Sequence, residues 1–483
     1  MTSPLQEHPP GTRRLAIVVG MVAFLFTWTL TTHGKYSVSG DEPHYLMVTH
    51  SLVADRDLDL ANNYADDDGR WFGHDSLEAG PHVRRARTGQ LLSVHDIGLP
   101  IILTPAYLAA QRLAALPTPA LLSRVRMSRG LFAYSIVSVS VLVVIASSIG
   151  LLTTAFAGAA APRSAAFLMV IVAISPPVVS YSFLVFPEAP ALFVTALVVW
   201  FVMKPREAGD ASTMLWLIAA LGVLPWMHRK YSFYAFGLLF ALLWMAPAVS
   251  AGLSRRQRLT AAGLFVLPQL AFHAWTYREW GTLGGPQLIE GLPFTSTGWM
   301  NGLVGLWIDR QSGLLANAPF YWIVPVCWAA TWRRTWPLVV PVLLLYLPMA
   351  AFVEWWGGFS PGARYLAPII PLLVVPIALA LGSRFVQIVA LTLGIAQLAI
   401  DAAIWRHPRS LWPLPSTNGN AALQELGIPG RAYELLLPAI RANGVGVSAI
   451  LVVLGIVGLS VAIAVSRFHA AEAAAHVTTR TSR

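Results

Sequence analysis

The sequence predicts an all-α polytopic membrane protein with about twelve transmembrane helices and a large first outer loop carrying interfacial helices. Three observations predict it. Of 483 residues, 56% are hydrophobic and 12% charged, roughly half the charged share of a soluble protein and too little to coat a water-soluble particle of this length. The apolar residues gather in runs of roughly 17–25, the length that crosses a bilayer core. Polar residues concentrate in one block, 33–96, directly after the first run.

The first apolar stretch, 15–30, follows Arg13-Arg14 and lacks a small-residue cleavage site. It reads as a span with a cytoplasmic N-terminus, not as a signal peptide. Further spans are expected near 131–152, 165–184, 188–203, 213–227, 231–249, 259–276, 314–331, 336–353, 366–382, 385–403 and 444–466, with both termini inside. Segment 98–115 is apolar but short, holds Pro100 and Pro105, and ends near Arg112. Counting it as a span would put Glu188 and His228-Arg229-Lys230 on the cytoplasmic face. It would also move Lys204, Arg206, Arg255, Arg256 and Arg258 outside, against the positive-inside rule. It is read as a re-entrant or interfacial helix on the outer face, although Arg124, Arg126 and Arg129 then lie outside. The chain divides into a transmembrane core, 1–403, that includes the outer loop 33–130; a second outer loop, 404–443; and a last helix with cytoplasmic tail, 444–483.

The net charge of +10 is loop charge that sets orientation, and no nucleic-acid partner is expected. One cysteine, Cys327, permits no internal disulfide, and no Cys/His cluster has structural-zinc spacing. Gly-rich phosphate loops, dinucleotide fingerprints and Ser-His-Asp arrangements are not found.

Block 33–96 holds 11 of the 23 acids and half of the 12 histidines (His33, His44, His50, His74, His82, His95). With six Lys and Arg it is net −5 in a protein of +10. Most of these acids, such as Asp66-Asp67-Asp68, read as a solvated surface. Asp41-Glu42 differs. In Ser39-Gly40-Asp41-Glu42-Pro43-His44-Tyr45-Leu46, Gly40 and Pro43 suggest a turn at the membrane surface. A carboxylate there is expected to have a raised pKa, as a general base requires.

Three further strings follow in order: His95-Asp96-Ile97-Gly98-Leu99-Pro100, Phe186-Pro187-Glu188-Ala189, and Trp355-Trp356-Gly357-Gly358-Phe359-Ser360-Pro361-Gly362-Ala363-Arg364-Tyr365-Leu366. From about 15 to 382, their order resembles that of the GT-C glycosyltransferases. The likeness is to protein O-mannosyltransferases and to the aminoarabinose transferases that modify lipid A. The resemblance implies a sugar donor carried on polyprenyl phosphate, transfer on the outer face, and Asp41 as the catalytic acid of its pair. His95 matches a family His-Pro-Pro-like stretch, with Asp-Ile-Gly where closer relatives carry prolines. Glu188 matches the second outer-loop acid, and the tryptophan string a late outer-loop motif of bacterial members.

Under that resemblance the chemistry needs a base, a cation site and an acceptor slot. Asp41 is the base, with Glu42 and Glu188 beside it as catalytic candidates. Glu188, the only acid between Asp96 and Glu207, also reads as a helix N-terminal acid. His228, Arg229 and Lys230 are the cation site for the carrier phosphate, or snorkelling residues. Arg364 is a second cation candidate, with Tyr365, His44 and His95 as further binding candidates. Trp355 and Trp356 stack on a sugar face or belong to an interfacial aromatic belt. Asp41, Glu42 and Glu188 offer the oxygens a divalent ion needs. No Asp-x-Asp recurs at both acidic sites, however, so no metal ligand is assigned and a divalent cofactor stays open. The implied partners are a polyprenyl-phosphate-linked sugar donor, the lipid bilayer, and a glycan, protein or lipid acceptor. The implied setting is a plasma (inner) membrane, with the site facing outside or the periplasm. A secondary transporter and a lipid-linked glycan ligase or polymerase are the rival readings. Acids crowded into one loop, not paired at the midplane of repeats, speak against the transporter.

Overall fold

The structure is a computed structural model that describes residues 11–33, 40–124, 126–204, 210–286, 298–414, 419–460 and 462. It is mostly helical (74%). The N-terminal part of the chain forms α1 (Thr12–His33), α2 (Glu42–Ala54), α3 (Ala61–Ala65), α4 (Gly98–Ala114) and α5 (Pro119–Arg124). The middle of the chain forms α6 (Arg129–Ala157), α7 (Pro162–Ile174), α8 (Val178–Tyr181), α9 (Glu188–Met203), α10 (Asp210–Gly222) and α11 (Leu224–Met227). Next come α12 (Tyr231–Met245), α13 (Pro247–Gly252), α14 (Arg255–Trp280), α15 (Trp299–Ile308), α16 (Leu314–Asn317) and α17 (Val324–Thr335). The last are α18 (Val339–Ala351), α19 (Ile370–Ala380), α20 (Arg384–Arg406), α21 (Ala421–Glu425) and α22 (Ile440–Asn443).

Among the described residues, five helical stretches are long and apolar enough to cross a membrane: Thr12–His33, Arg129–Ala157, Asp210–Met227, Pro319–Ala351 and Arg384–Arg406. Shorter apolar helices of 10–17 residues, including Glu188–Met203 and Tyr231–Met245, stand among them. The outer surface of α20 exposes Phe385, Ile388, Leu391 and Ile395. Such an apolar stripe is rare in a soluble protein and is what a lipid-facing helix presents.

Several expected spans differ from the helices formed. The run 165–184 is cut at Ile174 by Pro176-Pro177, since proline has no N–H to continue the ladder. The runs 314–331 and 336–353 correspond to α17 and α18, which a 3-10 turn at Trp336–Leu338 joins into one helical stretch, Pro319–Ala351. Only part of 444–466 lies within the described residues, as Val447–Ser460. A short antiparallel hairpin, β1 (Val83–Arg85) paired with β2 (Leu91–Ser93), departs from the all-α expectation. Gly89, at φ 92°, supplies the left-handed residue its tight turn needs.

α1 and α6 run antiparallel, with Gly20 against the Ala146 carbonyl and Gly150 against that of Ala16. Small residues let these backbones approach closely. α6 begins where Gly130 presses on Arg70 and Gly73, so its first turn lies beside the polar block 33–96. α4 stays at that same end. Gly98 abuts Trp226 and Met227, and Gln111 donates to the Trp71 carbonyl at 2.9 Å. α9 and α12 also start at this end, at Glu188 and just after Lys230, so their other ends, with Lys204 and the Arg255-Arg256-Arg258 cluster, lie opposite.

Candidate functional site

Asp41 precedes α2 after Gly40, whose φ of 61° favours glycine. The tight turn lets His44 and Tyr45 N–H groups return to the Asp41 carbonyl and turns the carboxylate away from the helix. Arg364 is presented by the tryptophan-rich loop. Gly357 and Gly358 there have φ of 92° and 69°, and a Cβ on Gly357 would lie 3.1 Å from the Arg364 side chain. Tyr181 donates to the Pro361 carbonyl at 2.9 Å, and Ala363 N–H to Ser312 at 2.8 Å. The loop is thereby tied to α8 and to the segment before α16.

Arg364 then joins two carboxylates. Its Nη2 donates to Asp41 Oδ2 at 2.8 Å and its Nε to Glu188 Oε1 at 3.0 Å. Lys230 Nζ donates to the same Glu188 oxygen at 2.6 Å. The row Asp41–Arg364–Glu188–Lys230 alternates in sign, which is how buried charges are tolerated. Lys230 also stands over the Tyr365 ring, and Arg364 over Phe186.

A cavity of about 810 Å³ opens beside this row. Asp41, His82, His95, His228, Lys230 and Arg364 supply much of its polar lining, and Phe233, Phe236, Met349 and Phe352 much of its apolar lining. His95 and His82 meet at 3.1 Å (Nε2 to Nδ1). His44 stacks on His82 with ring centroids 3.6 Å apart and is hydrogen-bonded to Tyr64.

Electrostatics correct one expectation. Burial pushes the Asp41 carboxyl up, but the Arg364 guanidinium beside it outweighs burial and holds it well below the usual carboxylate range. Asp41 is ionised, not raised. Burial lowers the His95 imidazole to about 4 and that of His44 to about 3, so both are neutral at pH 7. Burial also lowers the Lys230 ammonium to about 8 against the pull of Glu188.

Of the sequence candidates, Asp41, His95, His228, Arg229, Lys230, Arg364 and Tyr365 line the cavity, with Glu188 and His44 directly behind. Four fall elsewhere or are committed elsewhere. Glu42 is fully buried and accepts from Tyr134 Oη and Val185 N–H, both at 2.8 Å. It pins α2 to α6 and to the break before α9. A neighbouring carboxylate on a helix's first turn points away from its predecessor. Arg229 gives Asp96 its Nη2 at 2.6 Å, its Nε at 3.2 Å and its backbone N–H at 2.7 Å, and gives Nη1 to the Gly284 carbonyl at 2.6 Å. That guanidinium ties the loop after β2 to α12 and is spent on Asp96. The Trp355 ring packs on Gly305, and Trp356 lies under Arg441 at 4.7 Å; both brace the loop and neither lines the cavity. The oxygen-ligand grouping of Asp41, Glu42 and Glu188 is likewise not formed, because Glu42 faces α6 and Arg364 separates the other two.

Sequence reasoning missed His82, His273 and Glu354, all cavity-lining. His273, an ionisable residue inside apolar α14, carried a usable signal. His82 carried none beyond the histidine richness of its block. None of the described residues of 404–443 lines the cavity; the segment is stitched to 309–317, where Arg441 N–H donates to Asp309 Oδ2 at 2.9 Å and Arg310 Nε to the Leu437 carbonyl at 3.0 Å.

No family model, curated protein or solved structure matches this chain. Its site is therefore read from geometry and charge.

Proposed function

We propose that this protein is a GT-C-type membrane glycosyltransferase. It moves a sugar from a polyprenyl-phosphate carrier to an acceptor hydroxyl by inverting displacement on the outer face of the plasma membrane. One observation carries the reading: a cavity that pairs an ionised, cation-held carboxylate with an apolar lining beside buried basic residues. A lipid-linked phosphate sugar has the same division of character. Its head requires cations and its chain requires aromatic and aliphatic walls.

In this reading Asp41 accepts the acceptor hydroxyl proton as the new bond to the anomeric carbon forms. The bond from that carbon to the carrier phosphate breaks at the same time, and the phosphate leaves without needing a proton. Arg364 orients Asp41 and keeps it ionised through Oδ2. Lys230 and His228 face the developing phosphate charge. Arg229, committed to Asp96, holds the loop in place. Twelve crossings with both termini inside belong to the proposal. Lys204 and the Arg255–Arg258 cluster, at the end of the bundle opposite the cavity, support that orientation.

The test uses full-length protein in nanodiscs with a radiolabelled polyprenyl-phosphate hexose and an envelope extract as acceptor. Release of polyprenyl phosphate is expected, reduced about 10²- to 10⁴-fold in Asp41→Asn, the range of a lost general base. Undiminished release in that variant would remove Asp41 from the mechanism.

A further inference from the structure

We infer that Asp41, His82 and His95 form a binding site for one first-row divalent metal ion, with zinc as the ion that best fits the ligands. One ligand atom from each lies within 4.8 Å of those from the other two. His82 Nδ1 and His95 Nε2 are 3.1 Å apart. Two nitrogens bound tetrahedrally to zinc at ~2.0–2.1 Å stand about 3.3 Å apart, so this edge of the polyhedron is already set.

The rings are held where a metal site would need them. His44 stacks on His82, Tyr45 packs on His95 at 4.7 Å, and Tyr64 anchors His44. Arg364 occupies Asp41 Oδ2 and leaves Oδ1 for the ion, the kind of outer partner that orients a ligating carboxylate. All three residues line the cavity, so a further coordination position opens onto it.

Two imidazoles and a carboxylate with an open position is the ligand set of catalytic zinc. Magnesium and calcium prefer oxygen-only shells, which argues against them here. A plain hydrogen bond between the two imidazoles explains the 3.1 Å contact but not the carboxylate gathered with them. The inference concerns the same cavity as the proposed transfer, and an ion on Asp41 takes the carboxylate oxygen that the transfer uses as base, so the ion-bound and proton-accepting states of Asp41 are alternatives. Its test reads metal occupancy and not sugar release, so either can fail alone.

Chelator-stripped full-length protein is titrated with zinc chloride alone by calorimetry, and bound metal is counted by mass spectrometry. One zinc per chain is expected, with a raised thermal midpoint. His82→Gln and His95→Ala should each weaken binding at least tenfold, whereas His407→Ala, at an exposed histidine, should not. His82 is only half-buried, so its variant keeps the test open if His95→Ala fails to fold. X-ray absorption should show two nitrogen ligands. No saturable zinc binding, wild-type binding in the folded His82→Gln variant, or an all-oxygen shell would each overturn the inference.

Discussion

Arg364 Nη2 donates to Asp41 Oδ2 at 2.8 Å across 323 residues of chain. Its Nε reaches Glu188 at the same time, so a single planar guanidinium spans two carboxylates. A lysine ammonium is a point charge on a flexible stem and does not reproduce that fork. Arg364→Lys is expected to fold and to lose transfer at least tenfold. Arg364→Ala leaves Asp41 and Glu188 without this partner, and removing one member of a buried pair costs about 3–5 kcal/mol. Thermal unfolding alongside the release assay separates the two outcomes. Equal activity of Arg364→Lys and wild type would show that the bridge is dispensable.

Lys230 gives a pH dependence. Its ammonium, lowered to about 8 by burial, is cationic below that pH and neutral above it. Use of an anionic donor should therefore weaken as pH rises through about 8. In Lys230→Arg the charge persists to much higher pH, so the alkaline limb should move up by more than one pH unit. The check is donor KM against pH; a limb that stays in place in Lys230→Arg belongs to another group.

Glu42 is expected to matter for stability and not for turnover. Its carboxylate serves Tyr134 and Val185 N–H, and removal strands both donors. Such losses cost about 1–3 kcal/mol. Glu42→Ala should lower the thermal midpoint, while the folded fraction keeps its activity per molecule. A collapse of turnover at unchanged stability would return Glu42 to the chemistry.

The histidine stack predicts acid sensitivity. His44 and His95 titrate at about 3 and about 4 in the folded protein, below the ordinary histidine value of about 6.5. Between those values the unfolded chain binds more protons than the native one. Their contribution to stability is therefore present above about pH 6.5 and lost as pH falls toward 4. In metal-free protein, His44→Gln should flatten this slope by up to ~1.4 kcal/mol per pH unit, the linkage of one proton. Thermal midpoints at pH 7 and pH 5 are the readout, and parallel profiles would count against it.

Much of the site was legible because its signals are local. Asp41 follows a turn glycine, Lys230 stands between two apolar runs where charge is costly, and Arg364 sits in a Gly-rich loop. What stayed hidden depends on partners far along the chain. Arg229 looked free until Asp96, 133 residues away, claimed its guanidinium. Glu42 looked like a further catalytic carboxylate until α6 and the break before α9 closed over it. His82 reaches the cavity only because a three-residue strand pair folds its loop back toward His95.

By itself, the sequence determined the helical character of the chain and the helices that could span a membrane. Scarce charge and long apolar runs favour helices, because unpaired backbone groups are intolerable in lipid. Tertiary structure alone decided which buried charges meet. A carboxylate's role follows from the cation placed beside it, and in a low-dielectric interior that placement is set by packing between helices distant in sequence.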